Sequence, residues 1–581
     1  MRRRAARRLR TYLVIEALCR RKILTDHRSH EDRPVPWSSA YPALVLAVIF
    51  VTIFLLHVPL LRLPYFWDEA GYYVPAARDI LLTGSLIPHS TVSNAHPPLV
   101  LAWIALWWKV VGYAPVVTRT AMLVVAAFAL VGVFRLAERV ANTEVAIGST
   151  LCTALYPVFF AQSSLAQVDL AAAGLIFWGL AAYVEGQEVA TVVWFALAGL
   201  AKETAILAPL ALAGWETIGL LATQWLKPPT SRIGGGAAKG FALFEALHPC
   251  SARRITSLLL PSLPLVLWYV YHYSRTGFVF GNPEFFRYNI AATLSLTRFL
   301  LALAMRLWQV TGYLHLWILT LAMLLAMRLM PPQRDSDSPR PPIGLPTQMV
   351  FYVVLLTYVI TMALIGGAVL ARYMLPAVPL VIILSVSTLW RRLRSWRVAI
   401  ACIALAFVAA WIWNPPYGFS PEDNLAYRDY VELHEDSERF LEARYPMARV
   451  LTAWPASNEV SHPWLGYITR PMRVVRVEDF SLDEILSAAD FRSNYEVTLI
   501  FSTKYEPRPA PWDRWRTWTR LKTQFFGFHR DLPPAAAAHI LGGSIVFSEE
   551  RRGQWIAVIE MEAGQVRDAE ARPITEGRMP N

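Results

Sequence analysis

Long apolar runs broken by basic loops constrain this chain more than any other feature. Each run is a candidate helix, and the longer ones can cross about 30 Å of hydrocarbon. The runs fall at 41–61, 116–135, 143–161, 168–185, 189–201, 203–222, 256–274, 308–329, 347–367, 374–390 and 398–414. They predict a polytopic α-helical membrane protein of about eleven spans. Leu99 to Val111 is too short to count among them. It reads as a helix at the outer face, with Trp103, Trp107 and Trp108 in the interfacial aromatic belt.

Charge sets the orientation. Ten Arg and one Lys fall within residues 1–33, so much of the net charge of +12 is a basic tail before the first span. The segments Arg135 to Arg139, 223–255 and Arg391 to Arg394 are also basic. All fall on one side if residues 1–40 are a cytoplasmic tail, as positive-inside bias requires. Anionic lipid headgroups, not nucleic acid, are the expected partner of this charge. The run at 41–61 is too long for a secretory signal and reads as a retained helix.

The chain then divides into the tail 1–40, a transmembrane domain 41–414 with an outer loop 62–115, and an extracytoplasmic domain 415–581. In the last, helix-like sequence at Pro421–Arg444 alternates with β-rich runs at Arg449–Trp454, Met472–Val477, Val497–Ser502 and Trp555–Glu560. That pattern predicts a small α/β domain. Segments 331–346 (Pro-rich) and 229–240 (with Gly234-Gly235-Gly236) read as linkers. None of Cys19, Cys152, Cys250 and Cys402 falls in an external segment, so no disulfide framework is expected.

Four polar features share the predicted outer side. They are Asp68-Glu69 beside the first span, Asp169 at the start of a span, Lys202-Glu203 between two apolar runs, and Arg372-Tyr373 at a late span entrance. Ionisable groups at a bilayer boundary are costly and mark function. A carboxylate can take a proton from an attacking hydroxyl, and Arg or Lys can hold an expelled phosphate. His96, before Pro97-Pro98, sits where a helix N-terminus disfavours its charged form and can hydrogen-bond substrate. Each feature has a plainer explanation. Asp68-Glu69 or Asp169 can cap a helix, Lys202 and Glu203 can pair with each other, Arg372 can anchor to headgroups, and His96 can be a turn residue. Asp68, Glu69 and His96 lack a metal-ligand spacing, so no metal site is assigned to them. A divalent ion there stays an open alternative.

The ordered set resembles the membrane-embedded glycosyltransferases of the GT-C fold, in the branch that includes protein O-mannosyltransferases and the bacterial aminoarabinose transferases of lipid A. The resemblance rests on five stretches: Trp67-Asp68-Glu69-Ala70-Gly71-Tyr72-Tyr73 with Ala77-Arg78-Asp79-Ile80, His96-Pro97-Pro98-Leu99, Gln167-Val168-Asp169, Ala201-Lys202-Glu203-Thr204, and Arg372-Tyr373-Met374-Leu375-Pro376. It implies an inverting hexosyl- or pentosyltransferase of the bacterial inner membrane. The donor would be a polyprenyl-phosphate sugar and the acceptor a lipid, glycan or protein hydroxyl. Asp68 would be the base, and Asp169, the second catalytic acid, would help bind acceptor or position substrate. Glu69, Tyr72, Arg78, His96, Lys202, Glu203, Arg372 and Tyr373 would line the substrate site, with Lys202 and Arg372 on phosphate. The rival expectations are a transporter or flippase of lipid-linked sugar, which needs polar groups through the bilayer midplane, and a non-catalytic envelope scaffold.

Overall fold

The computed structural model describes residues 40–225, 252–281, 293–330, 340–365, 367–507, 514–526, 528 and 530–562. Most of the basic tail, the Gly234–Gly236 run, the bulk of the Pro-rich linker, Cys19, Cys250 and Trp512 lie outside them. Two compact units are present, residues 1–51 and 52–581. The first contributes the start of helix Ala40–His57. Apart from that helix, all that follows concerns the second.

Among the described residues, six helical stretches are long and apolar enough to cross a membrane: Pro42–Leu60, Pro115–Val140, Glu203–Leu221, Ala252–Thr276, Leu296–Met327 and Leu345–Leu364. The other expected runs are also helical but shorter, at Thr143–Leu155, Asp169–Val184, Glu188–Ala201, Val378–Arg392 and Trp396–Ile412. Leu99–Val111 is a separate helix of 13 residues, as expected. Trp108 does not belong to an aromatic belt, however. It is buried, and its indole N–H donates to Thr118 Oγ1 at 2.8 Å.

Small residues set the close helix contacts. Helices Pro115–Val140 and Asp169–Val184 pack at Gly174, where an added Cβ would lie 2.6 Å from the Ala129 Cβ. Without a hydrophobic drive between helices in lipid, such close packing is what holds them together.

One expected boundary is corrected. The run at 308–329 belongs to a longer stretch, helix Leu296–Thr311 followed by helix Leu316–Met327. Between them Leu314 and His315 have φ of 45° and 68°, which breaks the backbone. Arg298 and Arg306 lower the mean hydropathy of the first half and hide it from an apolar-run reading, yet both are buried.

The residues after 420 form a mixed five-stranded sheet in the order β2-β1-β3-β5-β4. The strands are β1 (Arg449–Ala453), β2 (Arg473–Val477), β3 (Val497–Phe501), β4 (Gly543–Arg551) and β5 (Gln554–Met561). β1 pairs in parallel with β2 and β3, and β5 is antiparallel to β3 and β4. β1, β2, β3 and β5 match the four β-rich runs. β4 is an edge strand, exposed or half-buried throughout, and so shows no alternating pattern. It meets β5 through Arg552 and Gly553, both at positive φ, as a two-residue hairpin requires. Helix Ala426–Arg444 packs on the sheet, preceded by a short turn at Pro421–Asp423.

This sheet region also packs on the loop that carries Asp68. The Trp454 indole occupies the space where a Cβ on Gly71 would stand, Arg78 lies 5.0 Å from the centre of the Trp464 ring, and the Tyr113 hydroxyl donates to Trp464 O at 2.8 Å. Trp454 and Trp464 are therefore packing residues, as their aromatic area favours. Trp515 is exposed.

Candidate active site

The chain turns sharply after Leu61. Trp67 is forced to φ 44°, and Glu69–Tyr73 forms a wide π-helical turn that leads into helix Val74–Thr83. A positive φ at tryptophan is strained, and both features concentrate at functional sites. Asp68 lies between them.

Arg372 gathers the acidic residues. It sits in a 3₁₀ turn, Ala371–Met374, and is almost fully buried. One terminal nitrogen donates to Asp68 Oδ2 at 2.5 Å. The other donates to Glu422 and to Gln167 Oε1, the latter at 2.7 Å. Its Nε is 3.4 Å from Asp169 Oδ2. The second oxygen of Asp169 is held by the Lys202 ammonium. Residues far apart in the chain thus form one network of three carboxylates and two cations.

The plainer explanations can be checked one by one. Asp169 begins helix Asp169–Val184, but its carboxylate is taken by Lys202 and Arg372. Lys202 and Glu203 do not pair with each other, because Glu203 Oε2 lies 3.0 Å from His96 Nδ1. Arg372 is buried instead of reaching to a surface. Asp68 makes no side-chain cap to the turn that follows it.

Asp68 and Glu69, adjacent in sequence, have different surroundings. Glu69 is fully buried and paired with Arg119, and it accepts from Phe66 N at 2.8 Å and Ala166 N at 2.5 Å. Arg119 also donates to the carbonyls of Pro64 and Ser164. This sealed set pins the loop to the helices. Asp68, Glu69 and His96 thus have three separate partners, Arg372, Arg119 and Glu203.

The remaining expected residues fall in two places. His96 lies against Tyr72 and Tyr73, with ring centres 5.8 Å and 6.0 Å away. The half-buried Tyr373 ring is faced by three cations, Lys202 at 4.1 Å, Arg306 at 5.6 Å and Arg372 at 5.7 Å. Cations over an aromatic face are attracted by its quadrupole. Arg78 is held on Trp464, apart from the Arg372 network.

Three residues escape a reading of the sequence. Glu422 completes the Arg372 network and accepts from Gln167 Nε2 at 2.9 Å. Asp423, next to it, accepts from the Tyr313 hydroxyl at 2.6 Å. Burial, and then the neighbouring Glu422, push its carboxyl up to about 8. Arg306 donates to the carbonyls of Met362 and Leu370 and to Gln309, while its Nη2 has no partner. Among the described residues no carboxylate lies within ion-pair distance of Arg306. A buried guanidinium without a counter-charge is expensive and is suited to an incoming anion.

No family model matches the chain, and no curated protein sequence does either. Solved structures do. ArnT from Cupriavidus metallidurans bound to undecaprenyl phosphate matches with a TM-score of 0.50 at 14% identity, over 90% of this chain and 98% of that one. ArnT in the apo state matches at 0.49 with 14% identity and the same coverage. The arabinofuranosyltransferase AftD from Mycobacteria matches at 0.38 with 15% identity, over 91% of this chain and 40% of that one. The likeness to undecaprenyl-phosphate-bound ArnT runs through nearly the whole of both chains, and with the helices and terminal sheet described above it means that this chain is a multi-pass membrane protein with the GT-C fold.

Proposed function

We propose that the protein is an inverting glycosyltransferase that moves a sugar from a polyprenyl phosphate to an acceptor hydroxyl on the outer side of the membrane. The observation that carries this reading is the difference among the three carboxylates on Arg372. The Asp68 side chain is 29% exposed, against 3% for Asp169 and 4% for Glu422. Asp68 alone of these can meet an acceptor from solution. The others hold Arg372, and Arg372 holds Asp68 in place.

In this mechanism Asp68 takes the proton of the acceptor hydroxyl. The hydroxyl oxygen bonds to the anomeric carbon from the face opposite phosphate. The bond from that carbon to the phosphate oxygen breaks, and its electron pair leaves with the lipid phosphate. Configuration inverts. The leaving phosphate gathers charge on the side of Lys202, Arg372 and Arg306, around Tyr373. Three carboxylates outnumber Lys202 and Arg372, so Arg306 supplies the positive charge that these two spend on the acidic residues. Asp169 positions Lys202 and Arg372 for that phosphate. His96, Glu203 and Tyr72 line the sugar side. The undecaprenyl phosphate bound in ArnT supports a donor of this class.

The test is sugar transfer by purified protein with a panel of polyprenyl-phosphate sugars and an envelope extract as acceptor. Transfer by wild type and its loss in Asp68→Asn are expected, with the variant folded. Near-full activity of the variant would remove Asp68 from the role of base. Absence of transfer from every donor, by folded lipid-binding protein, would overturn the enzyme reading.

A further inference from the structure

Behind Trp67 lies a second cluster of ionisable groups that the proposed transfer reaction does not use. Helix Ala426–Arg444 presents His434 and Glu438 one turn apart, hence on one face. The short turn Ala456–Glu459, which follows β1, adds Glu459. His434 Nδ1 lies 2.7 Å from Glu459 Oε2 and 3.6 Å from Glu438 Oε1. One ligand atom from each residue falls within 4.8 Å of the others.

The cluster is dry. The three side chains are between 0% and 1% exposed. Aromatic rings wall it, with Tyr430 stacked 3.9 Å from the His434 ring, Phe501 edge-on at 4.6 Å and Tyr467 at 6.5 Å. Neither oxygen of Glu438 has a hydrogen-bond partner, and neither does Glu459 Oε1. Among the described residues no Arg or Lys lies within ion-pair distance of either carboxylate. Of the other buried acids of this region, Glu422 has Arg372 and Asp429 has Arg428 and Arg552, while Asp423 keeps its proton beside Tyr313.

Two buried carboxylates in an aromatic box carry a desolvation cost of several kcal/mol each unless a proton or a cation joins them. One imidazole nitrogen and two carboxylate oxygens form the donor set of a borderline divalent ion. Zinc takes such ligands at about 2.0–2.2 Å, and manganese also accepts them. Around one ion the His434–Glu459 pair would open slightly and Glu438 would draw in, and the unpartnered oxygens would be satisfied.

We propose that His434 Nδ1, Glu438 and Glu459 bind a divalent cation of the zinc or manganese class. The ion ties helix Ala426–Arg444 to the turn after β1. Tyr430, on that helix, lies 5.1 Å from the Phe66 ring and 5.5 Å from the Trp67 ring, and Trp454 lies 5.3 Å from Trp67. The ion thus stiffens the aromatic wall behind the Asp68 loop. It is a structural centre, separate from the transfer chemistry.

The test is elemental analysis of tag-free, full-length protein, joined to thermal melts with a chelator and with zinc or manganese chloride added back. About one zinc or manganese per chain is expected. The chelator should lower the Tm by several degrees, and the metal should restore it. Glu438→Gln, which keeps the side-chain shape, should lose the ion. Metal-free wild type whose Tm ignores both chelator and metal would overturn the proposal, and would mean that a shared proton joins the two acids. Metal retained at full stoichiometry by a folded Glu438→Gln would overturn it as well. If that variant does not fold, the metal content and chelator response of the wild type decide alone.

Discussion

Arg372 donates to Glu422, a residue 50 positions later that lies beyond the last apolar helix. The transmembrane helices and the sheet region therefore contribute to one ionic network. Glu422→Ala should leave the buried Arg372 with Asp68, Asp169 and Gln167. Asp68 and Asp169 still compensate the charge, so the cost is that of a lost charge-assisted hydrogen bond, roughly 1.5–3 kcal/mol. Thermal unfolding in detergent reads this loss. Glu422→Gln keeps the hydrogen bond and should cost less.

Arg306 faces Tyr373 with no carboxylate of its own. On the proposed reading, Arg306→Gln should raise KM for the polyprenyl-phosphate donor by about 10-fold or more, since a charge-assisted hydrogen bond is worth about 1.5–3 kcal/mol. An unchanged donor KM in folded variant would take Arg306 out of donor binding.

Glu69 and Arg119 make a sealed pair, so their substitution should act through stability. Glu69→Ala should lower the Tm sharply, by the roughly 3–5 kcal/mol of a broken buried pair. Any folded fraction should keep its transfer activity per molecule. A folded, stable but inactive variant would instead place Glu69 in the chemistry.

Gly71 lies under the Trp454 indole. Gly71→Ala should destabilise by about 1–3 kcal/mol through overpacking. Trp454→Phe removes the colliding ring and should recover part of that loss in the double variant. Strictly additive losses would mean that the two residues do not touch.

Asp423 holds its proton to about pH 8 in the folded chain, against an ordinary value of 3.8. Below 3.8 both states are protonated and the residue contributes nothing. Between 3.8 and about 8 the unfolded chain gives up the proton and the folded one keeps it, so stability falls as pH rises through this window. Asp423→Asn removes that dependence. Its Tm advantage over wild type should grow from acid towards pH 8 and then level off. Melts across that range check the direction.

Much of the site is legible in the sequence, because Asp68, Asp169, Lys202 and Arg372 stand out as charges against apolar runs. Their background made them visible. Glu422 has no such contrast. Ser420-Pro421-Glu422-Asp423-Asn424 is polar throughout, and nothing local tells one acid from the next. Arg306 is hidden for the opposite reason, since its charge makes a buried helix look less apolar. Asp68 and Glu69 illustrate a third limit. Adjacent residues point in different directions around a helical turn, so the pair divides into an exposed acid and a buried one. The helices were readable from long runs, whereas β4, wet on both faces, carried no period to read.

The junction at Pro421–Asn424 has a consequence for modular engineering. Glu422 travels with the terminal sheet but is used by the membrane helices. A hybrid cut at residue 415, joining these helices to a foreign sheet domain, would inherit an arginine short of one hydrogen-bond acceptor. Any successful graft must bring a hydrogen-bond acceptor at that position, which makes the seam between the two parts a matched set and not a hinge of convenience.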